Sequence, residues 1–247
     1  MASILVLWDV DFTLVNAYGV GRRLYDLAFA DVYGRELPVW ANEVNMAGRT
    51  DRAIVLDVLK VCGVPDPRGQ LDLFQATLAR RAPDIADLVK ATARALPGAA
   101  AAIVALAALA TADSGPRQSL LTGNIRPLAE AKLAPLGLTE YLDLDVGAYG
   151  DEHEVRAELV PLARKRAALA YQRDFSGEAT VLVGDTPLDV EAALVAGAHA
   201  VGVASGQFTV DDLAAAGAHA VLPDLTDTEA VVAAILTSRQ ADRSPRP

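Results

Sequence analysis

Apolar residues follow two rhythms along this 247-residue chain. Short, largely apolar runs occupy residues 4–8, 119–121, 142–146, 180–183 and 200–203. They predict strands covered on both faces, as in a parallel sheet, because a wet face would impose polar alternation. Between them, residues 98–110, 125–136, 155–171 and 188–196 place apolar side chains at helical spacing, and the last stretch stops at Gly197. Strand and helix in alternation predict an α/β fold, a doubly wound parallel, Rossmann-like sheet with right-handed crossovers.

The alternation breaks after Asn16 and resumes after Leu96. Only helix-like stretches occur between, at residues 22–32, 52–61, 71–81 and 85–94. The expectation is a separate all-helical domain, residues 16–96, inserted into a core formed by residues 1–15 and 97–236. Gly19 and Gly21 at its entry and Pro97-Gly98 at its exit suit hinges. Residues 237–247 are polar, contain Pro245 and Pro247, and are expected to form a disordered tail.

Composition narrows the function classes. With 52% hydrophobic and 22% charged residues, the chain has too much apolar material for a disordered protein. A net charge of −10 argues against a nucleic-acid partner, since phosphate backbones demand a basic surface. Cys62 is the single cysteine, which rules out an internal disulfide or a cysteine-built metal site and suits packing as a small hydrophobe. The longest uncharged stretch, residues 95–112, is mostly alanine and short of the roughly 20 strongly apolar residues that span a bilayer. No targeting signal stands at the start, so a cytoplasmic protein with no membrane partner is expected.

Candidate chemistry gathers at the carboxyl ends of the expected strands, where open α/β sheets bind ligands. The first ends in Asp9-Val10-Asp11-Phe12-Thr13-Leu14, the second in Leu121-Thr122-Gly123-Asn124 and the fourth in Gly184-Asp185-Thr186-Pro187-Leu188-Asp189. Asp9, Asp11, Asp185 and Asp189 would repel one another at one sheet edge unless a hard cation neutralised them. Oxygen-only ligands suit Mg²⁺ better than zinc.

These motifs, in this order and at these strand ends, resemble the haloacid dehalogenase-like hydrolase superfamily. Gly19-Val20-Gly21-Arg22, Ala47-Gly48-Arg49-Thr50-Asp51 and Leu96-Pro97-Gly98 resemble its phosphoglycolate phosphatase-like members. The resemblance implies that the helical insert, residues 16–96, is a cap domain and that the chain is a Mg²⁺-dependent phosphomonoester hydrolase that acts on a small phosphorylated metabolite through an aspartyl-phosphate. Asp9 is then the nucleophile and Asp11 the general acid and base. Asp9, the Asp11 carbonyl, Asp185 and Asp189 would hold the metal. Thr122 and the amides of Gly123 and Asn124 would grip the phosphoryl oxygens. The family's stabilising cation falls on Arg156, with Lys165 the alternative. Arg49 is either substrate-facing or a surface arginine before a capped helix. Phe12 stands where the family most often has glycine, which raises a question of substrate specificity.

Two other readings share these residues: a sugar phosphomutase, and a non-catalytic regulator that binds a phosphorylated ligand. Asp11 argues against a dehalogenase, which has no leaving alcohol to protonate. His153, amid Asp151, Glu152 and Glu154, reads as solvated loop. His199 and His219 are expected near strand starts, away from the catalytic edge, and residues 205–208 at the site's margin.

Overall fold

A computed structural model describes residues 3–39, 41, 44–111 and 114–237. Its centre is β1 (Ile4–Trp8), buried along its whole length. Parallel neighbours are β4 (Pro116–Leu120) on one side and β5 (Thr180–Gly184) on the other. β6 (His199–Val203) and β7 (Ala220–Leu222) extend the sheet, giving the order β4-β1-β5-β6-β7. The chain leaves β1 toward β4 and then crosses back to β5, so the strand order reverses at β1. That reversal is the point at which doubly wound sheets open a crevice at their carboxyl edge.

Side-chain alternation explains the three layers. Val6, Trp8, Val181, Val183, Val201 and Val203 face one way. They pack on α5 (Ala99–Ala108) and α10 (Thr228–Leu236) through Ile103, Leu106, Val231 and Ile235. Leu5, Leu7, Leu182 and Ala200 face the other way. Their partners come from α7 (Leu159–Tyr171), α8 (Pro187–Val195) and α9 (Val210–Ala215).

A short antiparallel pair, β2 (Val15–Asn16) with β3 (Arg94–Ala95), ties together the two chain crossings into the helical insert. Between them lie α1 (Val20–Tyr33), α2 (Asp51–Val61), α3 (Pro67–Arg81) and α4 (Ala86–Thr92). All four overlap the helix-like stretches read from the sequence. Their apolar cluster, built around Leu24, Phe29, Leu59 and Phe74, is continuous with that of the Val6 face of the sheet. Helix α6 (Arg126–Leu133), which follows β4, packs against both α3 and α4.

One expected strand is absent and one strand of the parallel sheet is unexpected. Residues 142–146 form turns rather than a strand. Asp143 and Asp145 interrupt the apolar run, and the Asp143 carboxylate accepts from the Asp145 amide at 3.1 Å. The segment still covers the outer edge of β4, through Asp143 N to Gln118 O (2.8 Å) and Ala148 N to Leu120 O (3.0 Å). The fifth strand is instead β7, whose three residues are too few to stand out as a run. The expected tail falls, beyond Thr237, outside the described residues. Among those described, no helix is long and apolar enough to cross a membrane.

His199 and His219 stack at the end of the sheet opposite the carboxylates, ring centroids 4.5 Å apart. Burial first, and the neighbouring His219 second, lower the His199 pKa to about 4. An unfolded histidine titrates near 6.5, so between these values the unfolded chain binds the extra proton. Stability should therefore fall as pH drops from about 6.5 toward 4, by roughly 1–2 kcal/mol between pH 7 and pH 5. His199→Leu should flatten that portion of the curve in denaturant titrations. An unchanged slope would show that His199 does not cause it.

Candidate active site

The reversal at β1 brings three strand ends to one edge. The Asp9 amide continues the ladder by donating to Val183 O at 2.9 Å, which fixes the residue immediately after β1. Asp185 follows β5 directly, and Asp189 sits in the first turn of α8. A reciprocal cap sets Asp189: its Oδ2 accepts from the Thr186 amide (3.0 Å) and hydroxyl (2.7 Å). That leaves Oδ1 toward the centre, buried and without an aligned hydrogen-bond donor among the described residues. Asp9, Asp185 and Asp189, all buried, each offer an oxygen within 4.8 Å of the others. Gly206, on the loop after β6, allows the close approach; a Cβ there would lie 1.9 Å from Asp185 Oδ2.

Arg156, in a 3₁₀ turn before α7, enters this cluster. Its Nη2 lies 2.7 Å from Asp9 Oδ1 and 2.5 Å from Asp189 Oδ1. Lys165 is exposed on α7, so of the two expected cations the structure brings Arg156 to Asp9. Burial opposes the charge of Arg156, but Asp189 and Asp9 outweigh it and hold the guanidinium firmly protonated. One cation does not satisfy three buried carboxylates. Burial, with the charges of Asp189 and Asp11, raises Asp9 to about 7 against the pull of Arg156. Burial, with Asp9 and Asp189, raises Asp185 to about 9. Closely spaced hard oxygens whose mutual repulsion one guanidinium does not relieve fit a hard divalent cation.

Asp11 faces a second cation that the sequence reading did not identify. Lys132 Nζ lies 2.8 Å from Asp11 Oδ1 and 2.6 Å from Oδ2. It also donates to Asn124 Oδ1 at 2.8 Å. The Asn124 amide group donates in turn to Asp11 Oδ2 (2.8 Å) and Thr122 Oγ1 (2.9 Å). Thr122 is fully buried beside β4, and the Asn124 backbone amide also donates to its hydroxyl, at 3.3 Å. A signal for Lys132 was present: on α6 it shares the buried stripe of Leu128, Ala129 and Leu133. A lysine in an apolar helical stripe needs a buried partner.

The amino end of α6 is occupied by the insert. Ile125 N donates to Asp51 Oδ2 (2.7 Å), while Tyr25 Oη donates to Asp51 Oδ1 (2.7 Å). Burial raises Asp51 to about 6 despite these two donors. Asp51 likewise falls on a buried helical stripe, with Ile54, Val55 and Val58 of α2.

Around it the turn at residues 46–51 seats on the core. Asp51 N donates to Gly123 O (2.6 Å), Arg52 N to Gly150 O (2.8 Å) and Arg156 Nη1 to Gly48 O (3.2 Å). Gly123 permits this approach, since a Cβ there would meet Arg49 O at 1.9 Å. The Arg49 guanidinium itself turns away from the carboxylates, to Asp57 Oδ2 (2.6 Å) and Asn45 O (3.1 Å). Phe12 has a φ of 57°, a left-handed conformation that favours glycine and accounts for that residue in the family pattern. Its carbonyl accepts from Ser205 Oγ, which places residues 205–206 at the margin of the site.

No curated protein sequence is significantly similar to the chain. Solved structures share its architecture. CbbY from Rhodobacter sphaeroides, in complex with phosphate, is 18% identical with a TM-score of 0.65, over 91% of this chain and 96% of that one. A predicted phosphatase from Clostridium acetobutylicum is 16% identical, TM-score 0.64, over 94% and 99%. A candidate beta-phosphoglucomutase from Bacteroides vulgatus is 14% identical, TM-score 0.62, over 97% and 91%. The profile of the haloacid dehalogenase-like hydrolases matches residues 6–194, a span that runs from β1 into α8 and takes in every carboxylate described above. The chain belongs to the haloacid dehalogenase-like hydrolase family.

Proposed function

We propose that the protein is a Mg²⁺-dependent phosphomonoester hydrolase that acts on a small phosphorylated metabolite, as phosphoglycolate phosphatase-like enzymes do. The observation that carries this reading is the position of Asp9. It is a buried carboxylate at the switch point, beside Arg156, with Asp11 two residues on.

Asp9 attacks phosphorus and forms an aspartyl-phosphate, splitting one hard displacement into two easier ones. Arg156 sits where charge builds on the transferring group and offers a fixed donor that needs no reorganisation. Thr122 and the amide of Gly123 hold phosphoryl oxygens. Asp11 gives a proton to the leaving alcohol and takes one from the hydrolytic water. Asp9, the Asp11 carbonyl, Asp185 and Asp189 would hold Mg²⁺, which neutralises the cluster and the phosphoryl oxygens when bound. The 46–51 turn keeps bulk water from the intermediate while it stays seated.

The test is phosphate release from a panel of phosphoglycolate, sugar phosphates, nucleotides and pyridoxal phosphate, with Mg²⁺ and with chelator. Release that needs Mg²⁺ supports the reading; none from any compound sinks it. A hexose 1-phosphate in the panel separates the mutase reading, which requires an isomerised sugar phosphate instead of free phosphate. Metal binding has its own readout. At 100 times its dissociation constant, Mg²⁺ should stabilise the fold by about 2.7 kcal/mol, raising Tm by about 5–10 °C. Asp185→Asn should lose most of that rise. An equal rise in the variant would place the metal elsewhere.

A further inference from the structure

We infer that Lys132 is a positioning residue for Asp11: its buried ammonium sets the carboxylate that exchanges protons with the leaving alcohol and with water. The inference rests on the hydrolase reading above and adds a residue to it.

The argument starts from cost. A lysine is almost never fully buried without a partner, and Lys132 is only 3% exposed. All three of its ammonium protons are accounted for, by Asp11 Oδ1, Asp11 Oδ2 and Asn124 Oδ1 at 2.6–2.8 Å. Asp11 is the more exposed partner, at 34%, and adjoins the crevice. The pair is therefore asymmetric: a fixed cation on a helix grips a carboxylate that would otherwise sample several rotamers. Asn124 closes the arrangement by bonding Asp11 and Thr122 with the same amide group. The proton-exchanging group and a phosphoryl-holding hydroxyl thus share one scaffold on the β4–α6 connection. Proton transfer needs heavy atoms within hydrogen-bond reach of each other, so a carboxylate free to rotate would deliver fewer productive encounters.

A purely structural lysine and a positioning lysine predict different rate patterns. Aryl phosphates with an acidic leaving phenol depart without a proton, whereas alkyl phosphates require one. Lys132→Met should lower kcat/KM for an alkyl phosphate by about 10²–10³-fold, the scale of lost general acid–base catalysis. For p-nitrophenyl phosphate the fall should stay below about tenfold. The same substitution in an Asp11→Asn background should add little further loss on the alkyl substrate, because Lys132 acts through Asp11. That double variant also carries no unpaired Asp11 charge, so it remains informative if Lys132→Met alone folds poorly. Equal losses on both substrates, no loss on either, or full additivity in the Asp11→Asn background would overturn the inference while leaving the hydrolase reading intact. No turnover of any phosphomonoester by the wild-type protein would overturn both.

Discussion

Asp9→Asn is expected to lower phosphate release by at least about four orders of magnitude, the scale of removing a covalent nucleophile. The amide keeps the shape of the side chain but has no anionic oxygen to attack phosphorus. Stability should move the opposite way. Burial holds the Asp9 carboxyl near 7, far above the value it has in an unfolded chain. A carboxyl raised in this way contributes stability that is present below about pH 4 and lost as pH rises through about 7. The neutral amide escapes that loss, so at pH 8 without metal the variant should resist denaturant at least as well as the wild type. Activity and stability moving in opposite directions would separate lost chemistry from lost structure. Retained turnover would remove Asp9 from its role, and a clear drop in stability would mean that the lost activity reflects a damaged fold.

Arg156→Met is expected to be the second most severe change, and it should damage both properties. Arg156 is buried against Asp9 and Asp189, and removing one member of such an arrangement leaves charge uncompensated. The cost at pH 8 in the absence of metal should be about 3–5 kcal/mol. It should shrink as pH falls and the raised carboxyl of Asp9 takes up its proton in the folded state. Turnover should fall by about 10²–10³-fold even where the variant is folded, the range for losing one preorganised donor to developing charge. Arg156→Lys should recover part of the stability, because one ammonium cannot also hold the Gly48 carbonyl. Urea titrations at pH 8 and pH 5 measure the first effect. Identical curves for variant and wild type at both values would contradict the electrostatic account.

The motifs that were legible in the sequence share one property: their residues lie next to each other in the chain. The Asp9–Asp11 pair and the Asp185–Asp189 cap are local, and an apolar strand before each announces its position. Arg156 was readable as well, since it precedes a long amphipathic helix and Lys165 falls on that helix's exposed face. The partners were harder. Lys132 reaches Asp11 across 121 positions, and Asp51 reaches Ile125 across 74. No local pattern specifies such pairs; only the mismatch of a charge on a buried helical stripe points to them. Residues 142–146 failed for the converse reason: apolar enough for a strand, they were bent by Asp143 and Asp145 into turns that still guard the sheet edge. Phe12 shows how a departure from a family pattern can be conformational, since its left-handed backbone asks for glycine whatever its side chain does.

The most direct test of the account is to look for the phosphoryl group on Asp9. In Asp11→Asn, an aryl phosphate should still transfer its phosphoryl group, because the phenol departs unaided, while water attacks slowly for want of a base. Acid quench after mixing with Mg²⁺ and p-nitrophenyl phosphate, followed by peptide mass spectrometry, should find one phosphoryl group on the peptide that carries Asp9, and none when chelator is present. Phenol release without phosphorylation of that peptide, or with phosphorylation of a different one, would contradict the account.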